Sequence, residues 1–166
     1  CRRESAPAVL VPSLTDIRIV SVDHRFEEFR YRAAYQFGGR TVDRVTILNV
    51  NCRVRTMGGA DGGKDAWGFG SMTLGNAWAF PAAAQDEGLG AMKALADALQ
   101  PVTASCDERG HPIDLFRALE PEYLKAQAAL GRLLFEEGRL VEARGQLEQV
   151  SERWPGNEQV LYLLAQ

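Results

Sequence analysis

The sequence predicts an α+β fold: a three-stranded antiparallel sheet with helices, followed by an all-α helical hairpin. Three observations predict it. Apolar and polar residues alternate with a period of two in three stretches between Thr15 and Leu74, the pattern of half-buried strands. From Pro81 the apolar residues recur at helical spacing. After Glu120 two further helical segments follow, separated by a glycine and closed by a proline.

The first strand is read in TDIRIVSVDH (Thr15 to His24), where Ile17 and Ile19 alternate with Asp16 and Arg18. The second, DRVTILNVNCRVRT (Asp43 to Thr56), sets Leu48, Val50, Cys52 and Val54 on one face and Asn49, Asn51, Arg53 and Arg55 on the other. This places Cys52 as a buried structural thiol. The third strand is AWGFGSMTL (Ala66 to Leu74), with Trp67 and Phe69 alternating with Gly68 and Gly70.

Between the second and third strands, Gly58, Gly63 and Lys64 spell G-x-x-x-x-G-K, most of a phosphate-binding loop. Such a loop needs a helix beginning at the lysine, whose free N–H groups meet the phosphates, and a Ser or Thr next to the lysine for magnesium. Asp65 stands there instead, a carboxylate that repels phosphate, and the residues beyond it are poor helix formers. The stretch is therefore read as a hairpin connection between antiparallel strands.

A helix is expected from Pro81, in its first turn, to Pro101, which ends it; Leu89, Met92, Leu95, Ala96 and Leu99 form its apolar stripe. PIDLFRALE (Pro112 to Glu120) reads as a second, short helix, which His111 caps unless it sits in solvent. The residues Leu124 to Asn157 then show a period of about 34 residues and resemble a tetratricopeptide repeat. Leu130, Gly131, Leu134, Gly138, Ala143, Leu147, Val150 and Pro155 arrive in the order of that pattern, while Gln127 occupies a place where an aromatic is usual. Small Gly131 and Ala143 let two helices approach closely, and Glu158 to Gln166 opens a second repeat. A lone repeat leaves a stacking face open, and Leu161 and Leu164 cover only part of it, so the tail is expected to dock on the first part or to self-associate.

YQFGGRTVDRVTILNVNCRVRT and AWGFGSMTLGNAWAFP resemble the N-terminal capping domain of the enolase superfamily, in its mandelate racemase and muconate-lactonising branch, over about Leu14 to Glu120. The resemblance implies a strand, a long mobile loop, a second strand, a glycine-rich hairpin and a third strand, with a lid closing over a TIM barrel. It also implies substrate-facing residues: Tyr35, Gln36 and Phe37 in the first loop, Asn76 and Trp78 in the second. In that family the barrel supplies magnesium-binding carboxylates and acid/base residues for racemase, epimerase or dehydratase chemistry on a small carboxylate. After Glu120 this sequence departs from the family and enters the helical repeat instead. The expected division is a capping-like domain over 1–121 and a repeat over 122–166.

No Ser/His/Asp or Cys/His set can be assembled from the two histidines, His24 and His111, so catalysis, cofactor and metal binding are not expected of this chain alone; magnesium would belong to the barrel. A net charge of −3 provides no electrostatic basis for nucleic-acid binding, and no run of about eighteen apolar residues spans a membrane. Three cysteines without a C-x-x-C pair favour a reducing, cytoplasmic compartment, with a lipid anchor on Cys1 as the alternative. Two functions follow: a substrate-shaping lid, or a protein-interaction module built on the repeat.

Overall fold

A computed structural model describes residues 13–37, 39–58, 63–75 and 85–166. Among the described residues four strands and four helices run in the order β1 (Ile17–Phe37), β2 (Arg40–Thr56), β3 (Asp65–Thr73), α1 (Gln85–Ala104), β4 (Arg109–Gly110), α2 (Pro112–Glu136), α3 (Leu140–Arg153) and α4 (Glu158–Leu164). The sheet has the strand order β3-β2-β1-β4, and every neighbouring pair is antiparallel. Four strands, not three, therefore make the sheet. The extra one, β4, is two residues long and pairs Gly110 with Ile17, too short to leave a periodic signal in the sequence.

The long mobile loop implied between the first two strands is absent. β1 continues to Phe37 and returns through a tight turn at Gly39 into β2, with Tyr35 opposite Val42 and Phe37 opposite Arg40. Along this arm Phe29 stands opposite Val45 and Tyr35 opposite Val42, aromatic and β-branched pairs that suit a pleated surface. Register shifts between Ile19 and Ser21 and between Arg30 and Tyr35 bend the long ribbon.

β2 and β3 form the expected hairpin. Thr56 N donates to Lys64 O at 3.0 Å, Lys64 N donates to Thr56 Oγ1 at 2.9 Å, and β3 begins at Asp65. Strand, not helix, follows the lysine, so the geometry that a phosphate loop needs is not formed.

Helix α1 lies between the sheet and the helical tail. One side meets β1 through polar contacts: Lys93 Nζ reaches Glu28 at 3.2 Å, Asp97 meets His24 Nε2 at 2.8 Å, and Gln100 Nε2 donates to Val22 O at 2.6 Å. The other side presents Ala91, Met92, Ala94 and Leu95 to Leu130, Leu134, Phe135 and Ala143 of the tail. Met92 and Leu95 of the expected stripe join this core, whereas fully buried Ala91 was not in it. The expected first turn at Pro81 lies outside the described residues. Pro101 does not end the helix, which continues to Ala104. In the last turn a proline removes a single rung, and Ser105 N still donates to Pro101 O at 3.0 Å.

The short helix expected over Pro112 to Glu120 is the start of one 25-residue helix that runs through Pro121 to Glu136. His111 caps it, its Nδ1 accepting from Ile113 N at 3.3 Å, and Pro112 sits at the first position. The expected division at 121/122 falls within this helix. α2 ends on Gly138, whose φ of 76° lets Arg139 N donate to Leu134 O and Gly138 N to Phe135 O. α3 stops before Pro155, and Asn157 Oδ1 caps α4 by accepting from Val160 N at 3.1 Å.

Candidate protein-interaction site

The helical tail is built around a close approach of α2 and α3. A Cβ placed on Gly131 would lie 2.7 Å from Leu147 Cδ2, so only glycine allows this separation with Leu147 in place. Ala143 is buried one helix away, and Leu130, Leu134, Leu147 and Val150 fill the seam, as the spacing predicts. Gln127, at the place of the usual aromatic, donates from Nε2 to Gln146 Oε1 and to Gln149 Oε1, both at 2.9 Å. A hydrogen-bond network thus replaces ring packing there, and it gives Gln146 Oε1, in a side chain only 2% exposed, a donor.

The turn between the helices is fixed by charge. Arg139 donates from Nε and Nη2 to the two oxygens of Glu142, at 2.9 and 2.6 Å, and the Glu142 side chain is buried. This paired hydrogen bonding raises the Arg139 pKa, so the cation is firmly held.

α4 packs across this pair through Val160, which joins Leu147 and Val150 in a second core cluster with Ala128, Leu163 and Leu164 at its edge. Between α2 and α4 a groove of about 270 Å³ opens. Ala128 and Ala129 line it from α2, Val160 and Leu163 from α4, with Trp154 at one end and Lys125 and Arg132 on the rim. Lys125 is paired with Glu122 at 2.7 Å and Arg132 with Glu136 at 3.3 Å, so the groove offers mainly apolar contact area beside balanced charges. A second apolar hollow of about 290 Å³ lies between Phe135, Leu140, Leu147, Leu163 and Leu164. Of the two leucines expected to cover the outer surface, Leu164 packs at the edge of the second cluster, whereas Leu161 is exposed.

The residues expected to face a substrate are placed differently. Tyr35 and Phe37 lie on the β1–β2 arm and line a cavity of about 180 Å³ with Tyr31, Arg44, Leu74 and Leu89. Tyr31 and Tyr35 meet edge to face at 5.3 Å, and the hydrogen bond with Tyr35 raises the Tyr31 pKa. Arg44 pairs with Asp86 at 3.3 Å across the same space. Gln36 is not part of it: its Nε2 donates to Thr41 Oγ1 at 2.7 Å and closes the hairpin. Asn76 and Trp78 lie outside the described residues, as does Cys1.

Cys52 is half-buried at the centre of the sheet, and burial pushes its thiol pKa up, which fits a structural and not a nucleophilic group. Asp65 pairs with Arg55 at 2.7 Å, and this hydrogen bond lowers its pKa. Among the described residues no three His, Cys, Asp or Glu side chains converge on a common point, and no helix is long and apolar enough to cross a membrane.

Taken together, the arrangement defines an α+β protein whose helical tail presents a groove between α2 and α4. The tail carries a tetratricopeptide repeat: that family matches residues 113–166, from the first turn of α2 to the last residue. The match includes Pro112's neighbour Ile113 and the whole segment up to Glu120, which sequence spacing had left outside the repeat. No curated protein and no solved structure matches the chain.

Proposed function

We propose that this protein is an interaction module whose tetratricopeptide repeat holds a short peptide segment of a protein partner between α2 and α4. The observation that carries this reading is the groove itself, floored by Ala128 and Ala129, walled by Val160, Leu163 and Trp154, within the segment that matches the repeat family. Exposed Ala129 gives a direct test, because a tryptophan there fills the groove from an exposed position. A peptide library displayed on phage and selected on the whole chain yields binders whose affinity falls at least about tenfold on Ala129→Trp, a change of about 1.4 kcal/mol. Leu140→Glu, outside the groove, leaves them bound. Binders indifferent to Ala129→Trp overturn the proposal.

A second reading is the substrate-shaping lid implied by the resemblance of Leu14 to Glu120 to the enolase-superfamily capping domain. The observation in its favour is that Tyr35 and Phe37 share one cavity with Arg44, a cation suited to a small carboxylate. Titration with a 2-hydroxycarboxylate, followed by NMR, shifts the Tyr35 and Phe37 resonances under this reading; unmoved resonances remove it.

A further inference from the structure

The two edges of the sheet are treated unequally. On the β1 side, Asp23, Arg25, Glu27, Glu28, Arg30 and Arg32 place charges along the strand, β4 pairs with its start, and Gln100 of α1 caps the Val22 carbonyl. These are the devices by which proteins keep an edge from pairing with another chain. Among the described residues β3, the other edge, has no covering element and a single charge, Asp65 at its start. Every residue from Asp65 to Thr73 is exposed, including Trp67 at 67% and Phe69 at 65%, and Ala66 to Thr73 contains no charge and no proline.

The free hydrogen-bonding groups of this edge can be assigned. Lys64 O accepts from Thr56 N, and Leu74 N donates to Thr46 O, so the even-numbered positions exchange bonds with β2. By the alternation of an antiparallel ladder, Asp65, Trp67, Phe69, Ser71 and Thr73 turn their N–H and C=O groups outward.

We propose that a second copy of this chain pairs with that edge: two β3 strands join antiparallel about a two-fold axis at Phe69 and make one continuous eight-stranded sheet. This register sets Asp65 against Thr73, Trp67 against Ser71 and Phe69 against Phe69 of the second copy, and it uses all five outward-facing residues of each strand. The two strands together form about ten hydrogen bonds, the number an ordinary protein interface carries. Side chains agree with the register. Trp67 and Phe69 lie on the face that carries Arg53, whose guanidinium sits 5.9 Å from the Trp67 ring, so the pairing creates a four-ring aromatic ladder. On the opposite face Met72 covers Ala66 of the second copy, and Gly68 and Gly70 leave room for the approach. Charge agrees as well: Asp65 is already paired with Arg55, and no like charges meet across the seam. A strand from an unrelated protein would satisfy the hydrogen bonds but has no reason to match this self-complementary order.

Sedimentation velocity of the full chain over a concentration series tests the pairing. The wild type is expected to pass from monomer to dimer. Phe69→Lys, which puts two cations opposite each other at the axis, keeps the chain monomeric, and circular dichroism unchanged from wild type excludes unfolding. Ser71→Pro, which deletes an outward N–H not needed by β2, has the same effect. Leu164→Glu, at the far end of the tail, leaves the dimer intact. Oxidation of Phe69→Cys adds a disulfide-linked dimer over the wild-type background, because paired Cα atoms there lie about 5.5 Å apart. Trp67→Cys adds none, its two copies being roughly 13 Å apart. A wild type that is monomeric at every concentration overturns the proposal. So does a dimer that survives Phe69→Lys, or a cross-link at position 67 in place of 69.

Discussion

Gly131 decides how closely the two long helices of the tail approach. The Cβ that alanine would add meets Leu147 at Cδ2 and at Cγ, 2.7 and 2.8 Å away, and Leu147 is itself fully buried, so it cannot swing aside. Overpacking of this kind costs about 1–3 kcal/mol, partly offset by the roughly 1 kcal/mol that alanine gains over glycine in a helix. Gly131→Ala is therefore expected to lower stability by about 1 kcal/mol in urea unfolding; a stability gain would show that the helices have slack at this point. Sequence spacing marked Gly131 as a point of close approach, because a small residue on an apolar helix face has few other uses, but it did not name Leu147 as the partner. Gln127 was legible only as an oddity. Its two glutamine partners, Gln146 and Gln149, lie on the next helix, and nothing in a linear pattern pairs them.

At the scale of elements, α2 is where local sequence signals mislead. Pro112 to Glu120 reads as a short helix and Leu124 opens the next, which would break Pro112 to Glu136 around Pro121. The folded chain keeps one helix because both halves are anchored: Leu115, Leu119 and Leu124 are buried on either side of the proline, and Thr103 Oγ1 meets Tyr123 OH at 2.9 Å. Tertiary packing offsets the lost rung. The two readings differ in what alanine does there. In a continuous helix Pro121→Ala restores an N–H to the ladder and raises stability by about 1–3 kcal/mol, measured as an increase in thermal midpoint. At the first position of a separate helix the same change is neutral or harmful, and that result would place a break at Pro121.

For the whole molecule, α1 is the shared element. It faces the sheet with Lys93, Asp97 and Gln100 and the repeat with Ala91, Met92 and Leu95, so sheet and repeat have a common neighbour and not a linker between them. The tail docks on the first part of the chain, one of the two outcomes that an open stacking face predicts. Arg139, at the turn of the repeat, also lies against α1: a Cβ on Gly90 would be 3.6 Å from its Nη2. Unfolding should accordingly be cooperative across the chain. Ala91→Glu puts a carboxylate into a fully buried position and is expected to cost about 3 kcal/mol or more. Native-state hydrogen exchange should register the loss in β2 and in α2 to the same extent. Protection lost in α2 alone, with β2 unchanged, would mean that the two parts fold independently.

The sequence by itself determined the α+β class, the three principal strands, the hairpin in place of a phosphate loop, and the repeat, because each rests on a period or a turn that a few neighbouring residues specify. Only the tertiary structure decided the rest. β4 is two residues long, and its existence depends on Ile17 being at hand to pair with Gly110. The β1–β2 arm closes because Tyr35 pairs with Val42 and Phe29 with Val45 across the ribbon, where the family resemblance implied a loop. The groove between α2 and α4 needs side chains from both helices and from Trp154 between them. The exposure of β3 likewise depends on how the other described elements pack, and a strand's own sequence does not contain its neighbours.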